Sequence, residues 1–220
     1  MIDAVVFDLD GLLLDTEQVW DDVRETITRE RRGRWHEQAQ ADMMGMSSTE
    51  WSRYMVEELG LSESPQELNR IVVERMQERY RQRLPIVEGA VDAVRRLATR
   101  WPLGLASSSN RPLIDLALEL MDVADLFRAT VSSEEVAGGK PAPDVYLEAA
   151  RRVGARPENV VAIEDSANGI RSGRAAGMRV IAIPNPHFPP PEDVLVQADL
   201  VLETLAELTP DAVESMSSRP

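Results

Sequence analysis

The sequence predicts an α/β protein, with a Rossmann-like, doubly wound parallel sheet as its core and an all-helical cap domain inserted after the first strand. Two observations support this fold class. From Pro85 onward, short apolar runs alternate with helical segments, which is the pattern of a parallel sheet. Between the first two strands, about 70 residues show helical spacing only. The predicted domains are residues 1–15 with 85–220 for the core, and 16–84 for the cap.

The first predicted strand, Ala4–Phe7, ends abruptly in Asp8, Asp10 and Gly11. Because side chains alternate along a strand, Asp8 and Asp10 are expected to point into one space at its carboxyl end. Two neighbouring acids repel each other and are costly to desolvate, so a role that only ends the strand does not explain them well. The pattern favours a carboxylate nucleophile and an acid/base beside a divalent cation.

The predicted cap follows directly. Its first helix carries apolar residues at helical spacing: Val19, Trp20, Val23 and Ile27. Ser47 to Glu50 has the pattern of a capping box and opens a helix that ends at Gly60. Ser64 and Pro65 are predicted as the N-cap and first residue of another helix. A helical insert at this place is expected to lie over the carboxyl end of the sheet, as a lid on the acids.

The rest of the core is predicted as strands joined by helices. The expected strands are Leu103–Ala106, Ala129–Val131, Val160–Ile163, Arg179–Ile183 and Asp199–Leu202. The expected helices are Gly89–Arg100, one from Asn110, one from Pro141 to Gly154, one from Ser166 to Gly177, and one near the carboxyl terminus.

Polar residues follow two of these strands. Ser107 and Ser108 offer hydroxyl and backbone N–H groups at a helix start, which is a phosphate cradle, although serines also serve as ordinary N-caps. Glu164 and Asp165 end a buried strand and are oxygen ligands of the kind that a hard divalent cation takes.

Lys140 is the only lysine of the chain, among 24 basic residues of which 23 are arginine. It lies between glycines and prolines in the segment 138–144. A chance surface choice is one explanation. The other is that this place needs a compact ammonium where a planar guanidinium does not fit.

A charge count connects these clusters. Asp8, Asp10, Glu164 and Asp165 against Lys140 give a formal charge of −3 if all five converge. Mg²⁺ brings this sum to −1, and protonation of Asp10 brings it to zero. A phosphate dianion would bind at this site only if a cation offset the negative charge, so the sequence predicts Mg²⁺ as a cofactor.

The segments DLDGLLLDT, LASSS, GGKPAPD and IEDSANGI resemble, in order, motifs I to IV of the haloacid dehalogenase superfamily. The resemblance spans nearly the whole chain and is to the phosphatase and β-phosphoglucomutase-like subgroup with a helical cap. It implies a Mg²⁺-dependent phosphatase of a small phosphomonoester, such as a sugar phosphate. Asp8 would form an aspartyl-phosphate, and Asp10 would protonate the leaving oxygen and then activate water.

The same resemblance implies the binding residues. Ser107, Ser108 and Lys140 would hold the phosphoryl group. Asp165 would bind Mg²⁺ together with the Asp8 carboxylate and the Asp10 backbone carbonyl, and Glu164 would be a direct or outer ligand.

The cap departs from the mutase pattern. The β-phosphoglucomutases carry a histidine and a cap-loop arginine where this chain has Trp20 and Ser48. The loop 43–48 offers no cation, and Arg53 and His36 are the nearest candidates. A mutase must grip a second phosphate, so the cap is predicted to suit an apolar or sugar-like group on a substrate with one phosphate.

Four cap residues are candidates for substrate specificity: Trp20, Met46, Ser48 and Trp51. Trp20, Met46 and Trp51 are equally plausible as the core of the cap.

Composition limits the partners and the location. The net charge of −14 argues against nucleic acid and anionic membrane surfaces as partners. The absence of cysteine suits a cytoplasmic protein, and the acidic start is unlike a signal peptide. The expected partner is a small phosphorylated metabolite, and the expected state is a monomer or weak homodimer.

Three alternatives stay open. A sugar phosphomutase is the first. A receiver-like signalling module would explain Asp8, Lys140 and a serine switch, but not the helical lid or Asp10. A non-catalytic binding protein is the third, although every residue that the motifs require for catalysis is present.

Overall fold

The sheet is parallel throughout. The computed structural model describes residues 1–43 and 46–218, and within them six strands form one sheet with every neighbouring pair parallel. The strands are β1 (Ala4–Phe7), β2 (Leu103–Ser107), β3 (Phe127–Ser132), β4 (Val160–Glu164), β5 (Arg179–Ala182) and β6 (Leu200–Val201). The predicted fold class is confirmed.

The strand order across the sheet is β3-β2-β1-β4-β5-β6, which places β1 between β2 and β4. The chain therefore builds outward from β1 in both directions. In doubly wound sheets, ligands bind in the crevice at the carboxyl ends of the strands where the direction of winding reverses. The acidic end of β1 lies at this point.

Helices that follow the insert cover both faces of the sheet. In chain order the helices are α1 (Glu17–Glu30), α2 (Ala39–Met43), α3 (Ser48–Glu57), α4 (Pro65–Gln82), α5 (Ala90–Ala98), α6 (Arg111–Leu120), α7 (Asp144–Val153), α8 (Ala167–Ala175), α9 (Glu192–Leu195) and α10 (Pro210–Ser215). Of those that follow the insert, α5 and α6 lie on one face of the sheet and α7 and α8 on the other. The predicted helices are all present; α2 and α9 were not predicted, because four or five residues are too few to show a helical period.

Because side chains alternate along β1, the strand contributes to two hydrophobic cores, one on each face of the sheet. Val5 and Phe7 pack with buried residues of α5 and α6 on one face. Ala4 and Val6 pack with buried residues of α7 and α8 on the other face. All four side chains are fully buried. The apolar run therefore serves both layers at once, which explains why it carries no polar residue until the strand ends.

The segment between β1 and α5 is helical, as predicted. Ser47 caps α3 and shares a reciprocal capping box with Glu50, while Ser64 caps α4 with Pro65 at its first position. Helix α3 ends at Glu57, a turn before the predicted end. Residues of α1, α3 and α4 join the core cluster that contains Phe7. The division into two separate domains at 15/16 and 84/85 stays a prediction.

No helix in the described part of the chain combines enough length and apolarity to cross a lipid bilayer. The cytoplasmic location and the oligomeric state stay predictions.

Candidate active site

A cavity of about 570 Å³ lies between the carboxyl ends of the central strands and the helical insert. Its core side carries residues that follow β1, β2 and β4, and its cap side carries residues of α1, α2 and α3. Eight of the residues predicted for the site line it: Asp8, Asp10, Trp20, Met46, Trp51, Ser108, Lys140 and Asp165. The expected position of the insert, over the acids, agrees with this cavity.

Lys140 joins two of the buried acids. Its ammonium donates to Asp8 Oδ1 and to Glu164 Oε1, both at 2.5 Å. The ammonium also lies 5.0 Å from the centre of the Tyr146 ring. Burial alone would lower the pKa of Lys140, but the charges of Asp8 and Glu164 raise it well above its usual value. The lysine is therefore a fixed, buried cation.

Glu164 is fully buried and its oxygens are fully engaged. Oε1 accepts from Lys140 and from the Tyr146 hydroxyl, at 2.5 and 2.7 Å. Oε2 accepts from the backbone N–H of Asp165 at 3.2 Å and from both the N–H and hydroxyl of Ser166. A carboxylate held in this way orients its neighbours, which favours the outer-ligand alternative over direct coordination.

Asp165 has a different environment. Its Oδ1 is buried and has no hydrogen-bond partner among the described residues. Oxygens of Asp8, Glu164 and Asp165 lie within 4.8 Å of one another. Gly11 makes this approach possible, because a Cβ there would lie 2.1 Å from Asp165 Oδ2 and its φ of +88° suits glycine. An unpaired buried carboxylate oxygen in an acidic cluster fits a hard cation such as Mg²⁺.

Asp10 points into a ring of hydroxyl groups. Thr16 donates to Oδ1 at 2.6 Å, and Ser109 donates to Oδ2 at 2.7 Å. Ser107 reaches the same oxygen at 3.4 Å. These donors fix the carboxyl group at the cavity wall beside Asp8, which is the position an acid/base needs.

Burial dominates the titration of the acids. Desolvation raises the pKa of Asp8 to about 8; the Lys140 charge opposes this rise, and the Glu164 charge adds to it. Desolvation, with the charges of Asp8 and Glu164, also raises the pKa of Asp165 well above its usual value. The protein without a cation therefore holds its acids under mutual repulsion.

The cap side of the cavity contains a cation that the sequence analysis missed. The Arg24 guanidinium lies 4.6 Å from the Trp20 ring centre and 5.0 Å from that of Trp51. The residue is 8% exposed and lines the cavity. The two cations considered from the sequence do not line the cavity: Arg53 and His36 are exposed, and His36 contacts Tyr54.

Three predicted residues lie behind the cavity wall. Ser107 is buried, and its hydroxyl accepts from the Ser109 N–H at 3.0 Å and contacts Asp10. Glu164 lies behind Lys140. Ser48 donates to Glu134 of the core at 3.2 Å instead of facing the cavity. Of the cap loop 43–48, Met44 and Gly45 lie outside the described residues.

Several contributing residues were not predicted, and each had some signal. Thr16 and Ser109 belong to motifs already noted for their aspartate and serine neighbours. Arg24 follows Trp20 by four residues, so both lie on one face of α1. Tyr146 lies in the first turn of α7 and had no sequence signal beyond being an aromatic residue on the side that faces the core.

A parallel doubly wound sheet whose central strand ends in two aspartates beneath a helical insert defines the class of cap-bearing phosphoryl-transfer enzymes. Comparison with protein-family models matches residues 5–183 to the family described as haloacid dehalogenase-like hydrolase. The chain belongs to this family. The predicted family, its phosphatase and β-phosphoglucomutase-like subgroup, and the enzyme class of phosphoric monoester hydrolase are confirmed.

Relatives match over nearly the full chain. The probable pseudouridine-5'-phosphatase of Drosophila melanogaster is 33% identical over 218 residues, covering 94% of this chain and 91% of that protein. Hexitol phosphatase B of Escherichia coli (strain K12) is 32% identical over 225 residues, covering 94% of each. The structure of CbbY from Rhodobacter sphaeroides in complex with phosphate has a TM-score of 0.87 at 24% identity, covering 97% of this chain and 100% of that one. This last likeness concerns the fold.

The packing of Gly169 against Glu164 gives a stability prediction. A Cβ at Gly169 would lie 1.8 to 1.9 Å from the Glu164 carboxyl atoms, which are held by Lys140 and Tyr146 and cannot withdraw cheaply. Gly169→Ala should lower the free energy of unfolding by about 1–3 kcal/mol in chemical denaturation. Gly139→Ala is the control, since its Cβ would have no neighbour nearer than 3.7 Å. Equal stability of the two variants would contradict the packing.

The burial of the acids, together with the repulsion among them, predicts how stability depends on pH and Mg²⁺. The pKa of Asp8 is about 8 in the folded, metal-free protein, against 3.8 ordinarily. The folded state therefore binds more protons than the unfolded chain between these values, and its stability falls as pH rises. Thermal unfolding should show a Tm increase with Mg²⁺ that is larger at pH 8 than at pH 6, because fewer protons then compete with the cation.

Asp165→Asn is the matched variant for this experiment. It removes one charge from the cluster, so the metal-free variant should have a higher Tm than the metal-free wild type at pH 8, and Mg²⁺ should change its Tm little. A Mg²⁺-induced increase of equal size at both pH values, or one that survives in Asp165→Asn, would show that the cation binds elsewhere.

Proposed function

We propose that this protein is a Mg²⁺-dependent phosphatase that hydrolyses a small phosphomonoester through a phosphorylated Asp8. The observation that carries the proposal is the setting of Asp8. Its carboxylate is buried at the end of the central strand, 2.5 Å from the Lys140 ammonium and within 4.8 Å of Asp165. It also opens onto a cavity that Asp10 shares.

In the first step, an Asp8 oxygen forms a bond to phosphorus as the ester P–O bond breaks. Asp10 gives its proton to the departing alkoxide oxygen, so the alcohol leaves neutral. Thr16 and Ser109 hold the Asp10 carboxyl group in place for this transfer. Lys140 offsets the charge on Asp8 and the phosphoryl group, and Ser108 at the cavity wall supplies donors to the phosphoryl oxygens.

In the second step, Asp10, now a carboxylate, takes a proton from water as the water oxygen attacks phosphorus. The bond from phosphorus to Asp8 breaks, which restores the free carboxylate and releases inorganic phosphate. Two in-line displacements replace one difficult hydrolysis. Bound by Asp8 and Asp165 with the Asp10 backbone carbonyl, Mg²⁺ would neutralise charge on the transferring phosphoryl group.

The substrate proposed is a small phosphorylated metabolite, such as a sugar or polyol phosphate. The cavity volume of about 570 Å³ suits a molecule of this size. Relatives named as a pseudouridine-5'-phosphatase and a hexitol phosphatase support the same class.

Asp8→Asn should abolish hydrolysis of p-nitrophenyl phosphate in the presence of Mg²⁺, because an amide neither attacks phosphorus nor carries the charge that Lys140 offsets. Circular dichroism should show an unchanged fold. Asp125→Asn, which changes an exposed aspartate between α6 and the amino end of β3, is the control and should retain activity. Full turnover by Asp8→Asn would end the proposal.

Lys140 gives a more specific prediction. Lys140→Ala should reduce kcat/KM by about 10²–10³, as loss of one electrostatic donor in a buried site does. Lys140→Arg should recover little of this loss, because the ammonium is enclosed by Asp8, Glu164 and Tyr146 and a forked head does not fit there. Near-normal turnover by Lys140→Arg would remove the argument from the single lysine. Near-normal turnover by Lys140→Ala would place the phosphate site elsewhere.

A sugar phosphomutase is the second candidate, and Arg24 is the observation that favours it. The sequence argument against a mutase was the lack of a cap cation, and Arg24 lines the cap side of the cavity. With β-glucose 1-phosphate and a trace of β-glucose 1,6-bisphosphate, a phosphatase should release inorganic phosphate faster than glucose 6-phosphate accumulates. The reverse ratio, measured by coupled assays, would establish the mutase.

A further inference from the structure

Arg24 is a buried cation whose side chain lacks a hydrogen-bond partner in the described part of the chain. It is 8% exposed, and no salt bridge or side-chain hydrogen bond to it occurs in residues 1–43 and 46–218. Its Nε is buried and unpaired. Burial lowers the pKa of Arg24 to about 10 against the opposing charges of Glu17, Asp21 and Asp10, so the group remains charged at neutral pH. Leaving a buried guanidinium unpaired is costly, which calls for an explanation.

The surroundings hold this cation in place. The charges of Glu17, Asp21 and Asp10 offset part of its charge through space, but none of these carboxylates accepts a hydrogen bond from it among the described residues. The rings of Trp20 and Trp51 lie 6.0 Å apart and flank the guanidinium from α1 and α3. Aromatic faces stabilise a cation and restrict its rotation, but they leave its N–H donors free. Because Arg24 lines the cavity and its Nε is buried, the terminal N–H groups are the donors that a molecule inside the cavity can meet.

The position of Arg24 determines which end of the substrate it can contact. The phosphoryl end is on the core side, where Asp8, Lys140 and Asp165 lie; the cap side receives the alcohol that will leave. A planar fork of donors matches a carboxylate or a phosphate, both of which accept two parallel hydrogen bonds.

We propose that Arg24 is a specificity residue that binds a second anionic group, a carboxylate or phosphate, on the leaving alcohol of the substrate. This inference rests on the proposed phosphatase function and narrows its substrate class to phosphomonoesters whose alcohol carries a second anionic group, in place of a simple sugar or polyol monophosphate. It replaces the sequence-based expectation of a cap that suits an apolar or sugar-like group with only one phosphate. Glu17 also lines the cavity on this side. Because its carboxyl group disfavours a nearby anion, the anionic group of the substrate must contact the guanidinium directly.

A purely structural role is the competing explanation, with Arg24 acting only as a spacer between two indoles. That role would affect all substrates alike. The anion-binding role affects substrates according to the charge of their leaving group, so matched substrate pairs separate the two.

The test uses two pairs that differ only in the second group. 3-Phosphoglycerate and glycerol 3-phosphate differ by a carboxylate, and fructose 1,6-bisphosphate and fructose 6-phosphate differ by a phosphate. For each, kcat/KM is measured with wild type, Arg24→Met and the control Arg53→Met, which removes an exposed cap arginine of equal charge. Isothermal titration calorimetry with the same ligands in an Asp8→Asn background measures binding without turnover.

The expected result is that wild type prefers the anionic member of at least one pair. Arg24→Met should reduce that preference by about 10- to 100-fold, the equivalent of a charge-assisted hydrogen bond, in kcat/KM and in the dissociation constant. Arg53→Met should leave it unchanged, and Arg24→Lys should retain part of it. The pair that responds identifies the group as carboxylate or phosphate. If Arg24→Met fails to fold, Arg24→Gln, which keeps a planar polar head without charge, takes its place.

The inference is overturned if wild type prefers the neutral member of both pairs, if Arg24→Met reduces both members equally, or if Arg53→Met has the same effect. Failure of the proposed function looks different. In that case wild type with Mg²⁺ hydrolyses neither these esters nor p-nitrophenyl phosphate, while the calorimetric comparison still decides whether Arg24 binds the anionic group.

Discussion

The buried ammonium of Lys140, shared between Asp8 and Glu164, is the interaction on which the site depends. Three carboxyl groups approach within 4.8 Å in a place almost without solvent, where unpaired charges are strongly disfavoured. The ammonium offsets part of this repulsion with two hydrogen bonds of 2.5 Å. Burial, together with the carboxylate charge that the ammonium does not offset, raises the pKa of Asp8 and Asp165, and this excess of negative charge makes the cluster suited to a divalent cation.

The same interaction divides the acids by role. Glu164 is saturated by Lys140, Tyr146 and the start of α8, so it acts as a fixed support. Asp165, directly after it, keeps an oxygen without a partner. Glycines on either side allow this density of polar groups: Gly11 admits Asp165, and Gly169 admits Glu164. A side chain at either glycine would force the carboxyl groups apart.

The cavity above the acids has two chemically different ends. The core end is built from strand termini and presents carboxylates, serine donors and one lysine. The cap end is built from helices and presents Trp20, Trp51 and the arginine between them. Under the proposed function, the core end carries the reaction chemistry and the cap end selects the substrate.

The sequence by itself determined the parallel fold, the helical insert, and the acids and lysine of the site. It did so because these features are local: a strand buried on both faces must be apolar, and Asp8 and Asp10 stand directly at its end. The tertiary structure decided the rest. Whether Glu164 or Asp165 has a free oxygen depends on Lys140 and Tyr146, which are distant in sequence. Likewise, Arg24 is enclosed between two indole rings only because α3 brings Trp51 against it, a contact between helices that no local pattern records.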